Sequence, residues 1–313
     1  MSDSNSRARN SWYVNSRRQG DLRFDIILIV IMAFLTLLFF YPMYLVVISA
    51  FSSPSAVYNG SVLLLPQGSN MEGFQRVLAT KELWMGYLNS GIYTVVGTVI
   101  NLFCTLTGAF VLSRPKFAMR KPITLMIVFT MFFGGGMIPG YLLIKDLKML
   151  NTIWSLVLPG AVSTWNLMVT RTFFLSSLPD ELYESVEIDG GNNLQFFLHV
   201  ALPLSTTIIV VMALFYGVGH WNSYWGALLY ITDKSKYPLQ LVLRNILLNA
   251  EYAIQAAKEG MTDYDSNQIR RLYEMAESMK YIIVLATVLP IVIAFPFVEK
   301  YFVKGVMVGS LKG

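Results

Sequence analysis

The side chains best equipped for chemistry sit together in one short stretch. Residues 180–189 read DELYESVEID and carry five carboxylates, Asp180, Glu181, Glu184, Glu187 and Asp189, with no base among them. Paired carboxylates can trade protons as general acid and base. That work needs a partner, and no histidine or metal-ligand cluster accompanies these acids, so no catalytic or metal-binding residue is assigned. Two readings stay open. The stretch is either a solvated linker helix, acidic for solubility, or a helix that docks into a basic groove on another protein.

Its local structure can be argued. Ser177-Leu178-Pro179-Asp180 has the Ser-x-x-Asp form of a capping box, with proline in the first turn. Acids in the first turn suit the positive end of a helix. The helix is expected from about 178 to 188, with Gly190 as its stop, because glycine tolerates a left-handed backbone. Leu182, Ser185, Val186 and Asp189 then share one face, and Glu184 and Glu187 a neighbouring one. A short, sharply bounded helix with small and apolar residues beside its acids suits docking better than solvation.

The elements on either side place this helix. Of 313 residues, 55% are hydrophobic and only 14% charged, where an ordinary soluble domain has about 25%. Residues 26–51, 85–113, 122–144, 149–170, 200–232 and 281–298 contain no Asp, Glu, Lys or Arg. Each run approaches or exceeds the roughly 20 residues that cross a bilayer. The fold class expected is therefore an all-α integral membrane protein with six transmembrane helices. The first run is too long for a secretory signal, whose apolar stretch is about 7–15 residues, and reads as a retained helix. The single cysteine, Cys104, lies in a span, so no internal disulfide forms. The net charge of +5 flanks membrane segments and gives no case for nucleic acid.

Orientation follows from the short loops. Five arginines precede residue 25, and Arg114, Lys116, Arg120 and Lys121 crowd the turn after the second run. Basic loops stay inside. The N-terminal segment 1–25, the loop 171–199 and the C-terminus are expected in the cytoplasm, with 233–280 the largest external piece. The acidic helix is then cytoplasmic. Within the spans, Gly134-Gly135-Gly136 and Pro139 predict a helix end or bend, with a flexible gate as the other reading. Pro159 interrupts the fourth run, and residues 71–80 suit a short surface helix.

Six spans suggest transport, and the energy source can be narrowed. A transporter driven by an ion gradient usually holds an ionisable group inside the membrane. These spans hold none except His220. No G-x-x-x-x-G-K-[ST] occurs, so ATP is not hydrolysed here in the P-loop manner. Power has to come from a partner, and the exposed acidic helix is where one can attach. Trp165, Asn166, Trp221, Asn222 and Tyr224 are candidate sugar contacts, because aromatic faces and amides bind carbohydrate; the plainer reading is an aromatic belt at the membrane surface.

The stretch PDELYESVEIDGGNNLQFFLHVALPLS resembles the EAA loop of membrane subunits of bacterial ABC importers, of the maltose-permease type. Glu184, Asp189, Gly190, Leu202 and Pro203 match its pattern. Ser185, Val186 and Gly191 stand where alanines are usual, and Thr207 where many members have proline. FFGGGMIPGYLLI, HWNSYWGALLYITDKSKYPLQLVL and the C-terminal run FPFVEKYFVKGVMVGSLKG are also similar, so the likeness covers nearly the whole chain. The resemblance implies a type I ABC importer permease fold and a place in the bacterial cell membrane. It implies a homologous second permease as partner, two ATPase subunits that bind ATP and Mg, and a binding protein that delivers an oligosaccharide. This chain itself binds no cofactor in that scheme. Residues 178–190 become the coupling helix, with Glu184, Ser185, Val186, Glu187, Asp189 and Gly190 at the ATPase and Glu184 as anchor to a basic residue. Segment 233–280 faces the binding protein, and the C-terminal tail reaches the ATPases. The alternatives are a permease for another binding-protein-delivered solute, or a secondary transporter or channel that works alone.

Overall fold

The computed structural model describes residues 4–68, 71–259 and 265–310. Among them the regular structure is helical, with no strand. Two compact units divide the described chain: residues up to 74 with 265–285, and 75–259 with 286–310. Residues 260–264 of the expected external segment and the last three of the tail lie outside the described set.

In the first unit, α1 (Ser4–Phe51) runs without a break, and α2 (Pro54–Tyr58) follows. Tyr41 and Tyr44 reach forward from α1, and their hydroxyls donate to the carbonyls of Leu63 (3.2 Å) and Leu64 (2.5 Å), which pins the loop to the helix. The apolar side chains of 26–40 are exposed, as in a helix that faces lipid or another subunit. The expected surface helix is present as α3 (Met71–Ala79).

The second unit is built around α4 (Lys81–Ser113), which packs against the helices that follow it. These are α5 (Arg120–Phe132), α6 (Met137–Asp146), the short α7 (Trp154–Val157), α8 (Thr164–Ser177), α9 (Asp180–Ile188), α10 (Asn193–Leu204), α11 (Thr206–Trp221), α12 (Trp225–Tyr230) and α13 (Leu239–Lys258). The last helix, α14, spans Ser266–Ser310. Small residues on α4 allow close approach, as between membrane helices generally. A Cβ on Gly86 would lie 3.1 Å from the Leu239 Cα, and the Ser90 hydroxyl accepts the Leu239 N–H at 2.8 Å, so α13 starts against α4.

Three described helices are long and apolar enough to cross a membrane: Phe24–Phe51, Lys81–Ser113 and Ser266–Phe297. Two bent pairs bring the number to five. The expected bend at the three glycines is there, with α5 and α6 at 116°, and Gly136 adopts φ +85°. The run 200–232 is not one helix either: α10 and α11 meet at 80° around Ser205, after a π-helical turn at Phe197–Ala201 that precedes Pro203. The expected span 149–170 is divided. Pro159 and Gly160 interrupt it, and Ser163 starts α8 by accepting the Asn166 N–H, so the helix runs on to Ser177.

The division is tolerated because side chains satisfy the freed backbone, as an apolar interior demands. Asn101, fully buried on α4, donates from Nδ2 to the Gly160 carbonyl at 2.6 Å. Its Oδ1 is 2.6 Å from His220 Nε2. A backbone carbonyl only accepts, so the asparagine amide must point at Gly160 and its oxygen at the imidazole. His220 therefore carries its proton on Nε2. The Tyr216 hydroxyl accepts the Ser163 N–H at 3.3 Å and lies 2.7 Å from Thr105 Oγ1. His220 fits only because residue 97 is glycine: a Cβ there would sit 2.5 Å from the imidazole Cε1.

The loop after α12 is clipped in the same way. Asn151, at φ +59°, accepts on Oδ1 from the N–H groups of Thr232 (2.6 Å) and Asp233 (3.2 Å), and Asn89 donates to the carbonyls of Ser235 and Tyr237. Asp233 caps the turn Lys234–Lys236. The Ser235 hydroxyl and N–H, and then Lys236, hold its carboxyl below the usual carboxylate range. A depressed carboxyl stabilises above its unfolded pKa, about 3.9, and that contribution is lost as pH falls through the folded value. The Ser235 amide is expected to stay protected from hydrogen exchange at pH 5 and to lose protection only well below that unfolded value; equal protection from pH 5 down to pH 2 would contradict the cap.

Candidate functional site

The acidic helix α9 begins two residues later than expected, and the capping box does not form. Ser177 is still inside α8, so its side chain is on a helical residue and cannot take the extended N-cap geometry. Pro179 is the N-cap instead, with φ −62° and ψ 153°, and it offers no side-chain acceptor. Asp180 and Glu181 in the first turn complement the exposed N–H groups.

The other end is as expected. Gly190 has φ +79°. Its N–H donates to the Glu187 carbonyl at 3.1 Å, and the Gly191 N–H to the Val186 carbonyl at 2.8 Å. These two bonds form a Schellman stop. Gly191 also has a steric reason: a Cβ there would lie 2.5 Å from Val186 Cγ1 and 3.0 Å from the Val186 carbonyl. The larger residue at 186 thus requires the smaller one at 191. Gly191→Ala is expected to destabilise the stop by about 1–3 kcal/mol, the usual cost of overpacking. Measured against Val186→Ala alone, which has its own packing cost, the same Gly191→Ala change should lose less in thermal unfolding; an equal loss in both backgrounds would rule out the Val186 side chain as the cause.

One face of α9 is fixed to the bundle. Leu182, Tyr183 and Val186 pack on a buried cluster of Phe110, Phe174, Leu178 and Phe196 from α4, α8 and α10. Ser185 and Asp189, expected on that face, are exposed, and the Ser185 hydroxyl bonds back to the Leu182 carbonyl. Tyr183 and Phe196 meet edge to face with centroids 5.3 Å apart. Movement of α9 is therefore movement of the ends of α4, α8 and α10.

The opposite face is open, and its two central acids differ. Glu187 receives Lys116 Nζ at 2.8 Å, from the basic turn after α4, and Lys116 also lies 5.2 Å from the Tyr183 ring centroid. The bond to Glu187 holds the Lys116 ammonium above its ordinary pKa, so the tether is complete at neutral pH and is lost only as pH rises through that raised value. Glu184, exposed like Glu187, also favours the Lys116 ammonium through its charge, but makes no hydrogen bond or ion pair among the described residues. Ile188, 85% exposed, stands beside it as a bare apolar knob. Sequence reasoning did not single it out; the signal was an isoleucine flanked by two acids in a helix with no other unexplained apolar residue.

Arg114 is the other residue missed. It is 8% exposed, stacked 5.1 Å from the Phe110 centroid and 5.5 Å from Phe196, and its Nη1 has no hydrogen-bond partner. Burial pulls its pKa down, and Asp180 offsets part of that. It borders a cleft of about 360 Å³ between the basic turn and α9, lined also by Lys116, Phe117, Tyr183 and Glu184.

Of the candidate sugar contacts, Trp221, Asn222 and Tyr224 lie at the end of α11 and the turn after it, and Trp165 and Asn166 in the first turn of α8. Trp165 (63% exposed), Asn222 and Tyr224 are exposed; Asn166 is buried. The Trp221 indole N–H is engaged with the Thr287 carbonyl at 3.0 Å.

Helices long and apolar enough to cross a membrane, interrupted runs whose freed backbone groups find side-chain partners, and a short acidic helix with one face packed on the bundle and one exposed mark a helical membrane protein. No protein-family profile matches the chain. It is similar to the polygalacturonan/rhamnogalacturonan transport system permease protein YtcP of Bacillus subtilis, at 32% identity over 290 residues covering 93% of this chain and 98% of the relative. It is also similar to protein LplC of the same organism, at 35% identity over 272 residues, 87% and 89% of the two chains. Among solved structures it matches a bacterial ABC transporter involved in the import of the acidic polysaccharide alginate, with a TM-score of 0.76 and 29% identity over 91% of this chain and 98% of that one. The chain belongs to the family of membrane permease subunits of bacterial carbohydrate ABC transport systems.

Proposed function

We propose that this chain is one of two homologous permeases in an importer for oligosaccharides, acidic ones first. Two of its relatives are named for acidic polysaccharides. The observation that carries the mechanism is the division of labour on α9: Leu182, Tyr183 and Val186 weld it to the bundle, while Glu184 and Ile188 are left for a partner. A pair of ATPase subunits, holding ATP and Mg, grips that open face on the cytoplasmic side. Glu184 meets a basic residue, Ile188 an apolar pocket, and Ser185 and Asp189 the rim. ATP-driven closure of the ATPases then shifts α9, and the bend at Ser205 turns that shift into a tilt of α11. Both chain termini lie on the cytoplasmic side of the bacterial cell membrane. Segment 233–280, whose start is held to α4 through Asn89 and to the loop before α7 through Asn151, receives the binding protein outside. Trp165, Asn222 and Tyr224 are exposed and can meet sugar on its way, with Asn222 Oδ1 already accepting from Gln240 at 3.4 Å.

The test is uptake of labelled oligogalacturonate by cells or proteoliposomes that hold the whole system. Uptake is expected to need ATP and to survive collapse of the proton gradient. Loss with the gradient would favour a secondary transporter, and equal uptake of a neutral oligosaccharide of the same length would remove the acidic preference.

A further inference from the structure

The last helix carries Pro290 in its interior. A proline there withholds the N–H that the carbonyl four residues back would accept, and its ring pushes that carbonyl outward. The carbonyl concerned is Ala286. It is not left bare: the Tyr87 hydroxyl of α4 donates to it at 2.7 Å. The next carbonyl, Thr287, accepts the indole N–H of Trp221, the final residue of α11, at 3.0 Å. The two aromatic rings lie side by side, with centroids 6.1 Å apart. Two donors from two different helices thus hold consecutive carbonyls at a turn where α14 has given up its own bond, the first of two such turns, since Pro296 opens another further on.

The surroundings leave room for that turn to move. A groove of about 350 Å³ runs beside it, lined by Thr94, Gly217, Trp221, Pro290, Ile291 and Ala294. Its lining is almost wholly apolar. Trp221 is also at the far end of α11, the helix that α9 drives through α10 and the bend at Ser205. An ordinary helix packed on α11 would resist bending along its whole ladder. A helix already opened at Pro290 gives there, and the clasp sits on that turn.

We propose that Tyr87 and Trp221 are positioning residues of the transport cycle. They clasp the proline-opened turn of α14, so that displacement of α11 is passed to α14 through a hinge at Pro290. This relay rests on the importer reading above. The clasp itself does not, and the two can be tested apart.

The first arm is a stability cycle on the purified transporter complex. Tyr87→Phe keeps the ring and removes the donor. It is expected to lower the unfolding midpoint in the native background and to have no effect beside Pro290→Ala, because residue 290 then supplies its own N–H to Ala286. An equal loss in both backgrounds overturns the clasp. The second arm is the ATP consumed per sugar imported in proteoliposomes. Trp221→Phe is expected to raise this ratio about fivefold, the factor that one hydrogen bond makes in an equilibrium. Pro290→Ala should raise the midpoint and still raise the ratio, a split that a merely structural proline would not give. A native ratio in Trp221→Phe overturns the relay. If the native complex imports nothing, the importer reading and the relay fall together, and the stability cycle still rules on the clasp.

Discussion

Glu184→Lys is expected to abolish uptake while the chain stays folded and inserted. The residue is exposed on α9 and makes no hydrogen bond or ion pair among the described residues; its charge acts on Lys116 only from a distance, so reversing it disturbs the fold little. Its effect falls on the partner. In the proposed docking a cation of the ATPase meets this carboxylate; in the variant it would meet an ammonium, and like charges juxtaposed at an interface cost several kcal/mol. ATPase recovery with the tagged permease is expected to drop by roughly 100-fold, each factor of ten being about 1.4 kcal/mol. Glu187→Lys is the control. That carboxylate is already held by Lys116, so its reversal disturbs the helix locally and weakens the ATPase contact far less. Co-purification and ATP-driven uptake measure both variants. Equal losses would mean that general acidity, and not the free position 184, does the gripping.

Asn101→Leu is expected to be the most damaging single change inside the bundle. Leucine fills a similar space but returns two polar groups to an apolar interior unpaired: the Gly160 carbonyl and the His220 Nε2–H. Each orphan costs about 1–3 kcal/mol, so the total is roughly 2–6 kcal/mol. The loop at Pro159 and Gly160 then has no anchor on α4, and α8 loses its fixed start. Thermal unfolding of the purified protein reads the loss. Gly97→Ala should act in the same direction, because its Cβ would displace the imidazole from Asn101. A midpoint within a degree of native for Asn101→Leu would show that the broken segment is held by packing alone.

These two sites differ in how far the sequence disclosed them. The handle was legible because its signals are local: acids in a first turn, glycine at the end, and small residues between. Even so, the capping box failed, since Ser177 is claimed by the helix before it. The six uncharged runs marked where apolar helices lie, and the three glycines marked a bend. What the runs could not give was continuity. Whether Pro159 ends a span depends on Asn101 and Tyr216, which lie 59 and 53 residues from the groups they satisfy. The Lys116–Glu187 tether closes over 71 residues and carries no pattern of its own. Trp221 is the clearest case. Its type suggested sugar, but the partner of its N–H is a carbonyl 66 residues on, beside a proline whose cost must be met somewhere.

Underlying all of this is one claim, that the permease is passive and that the force enters through α9. The most direct measurement reconstitutes the purified chain and its permease partner in liposomes, with the binding protein and labelled oligogalacturonate, with and without the ATPase subunits and internal ATP. Accumulation above the outside concentration is predicted only when the ATPases and ATP are both present, and none with Glu184→Lys. Concentrative uptake by the permeases alone, under an ion gradient or none, would contradict the account.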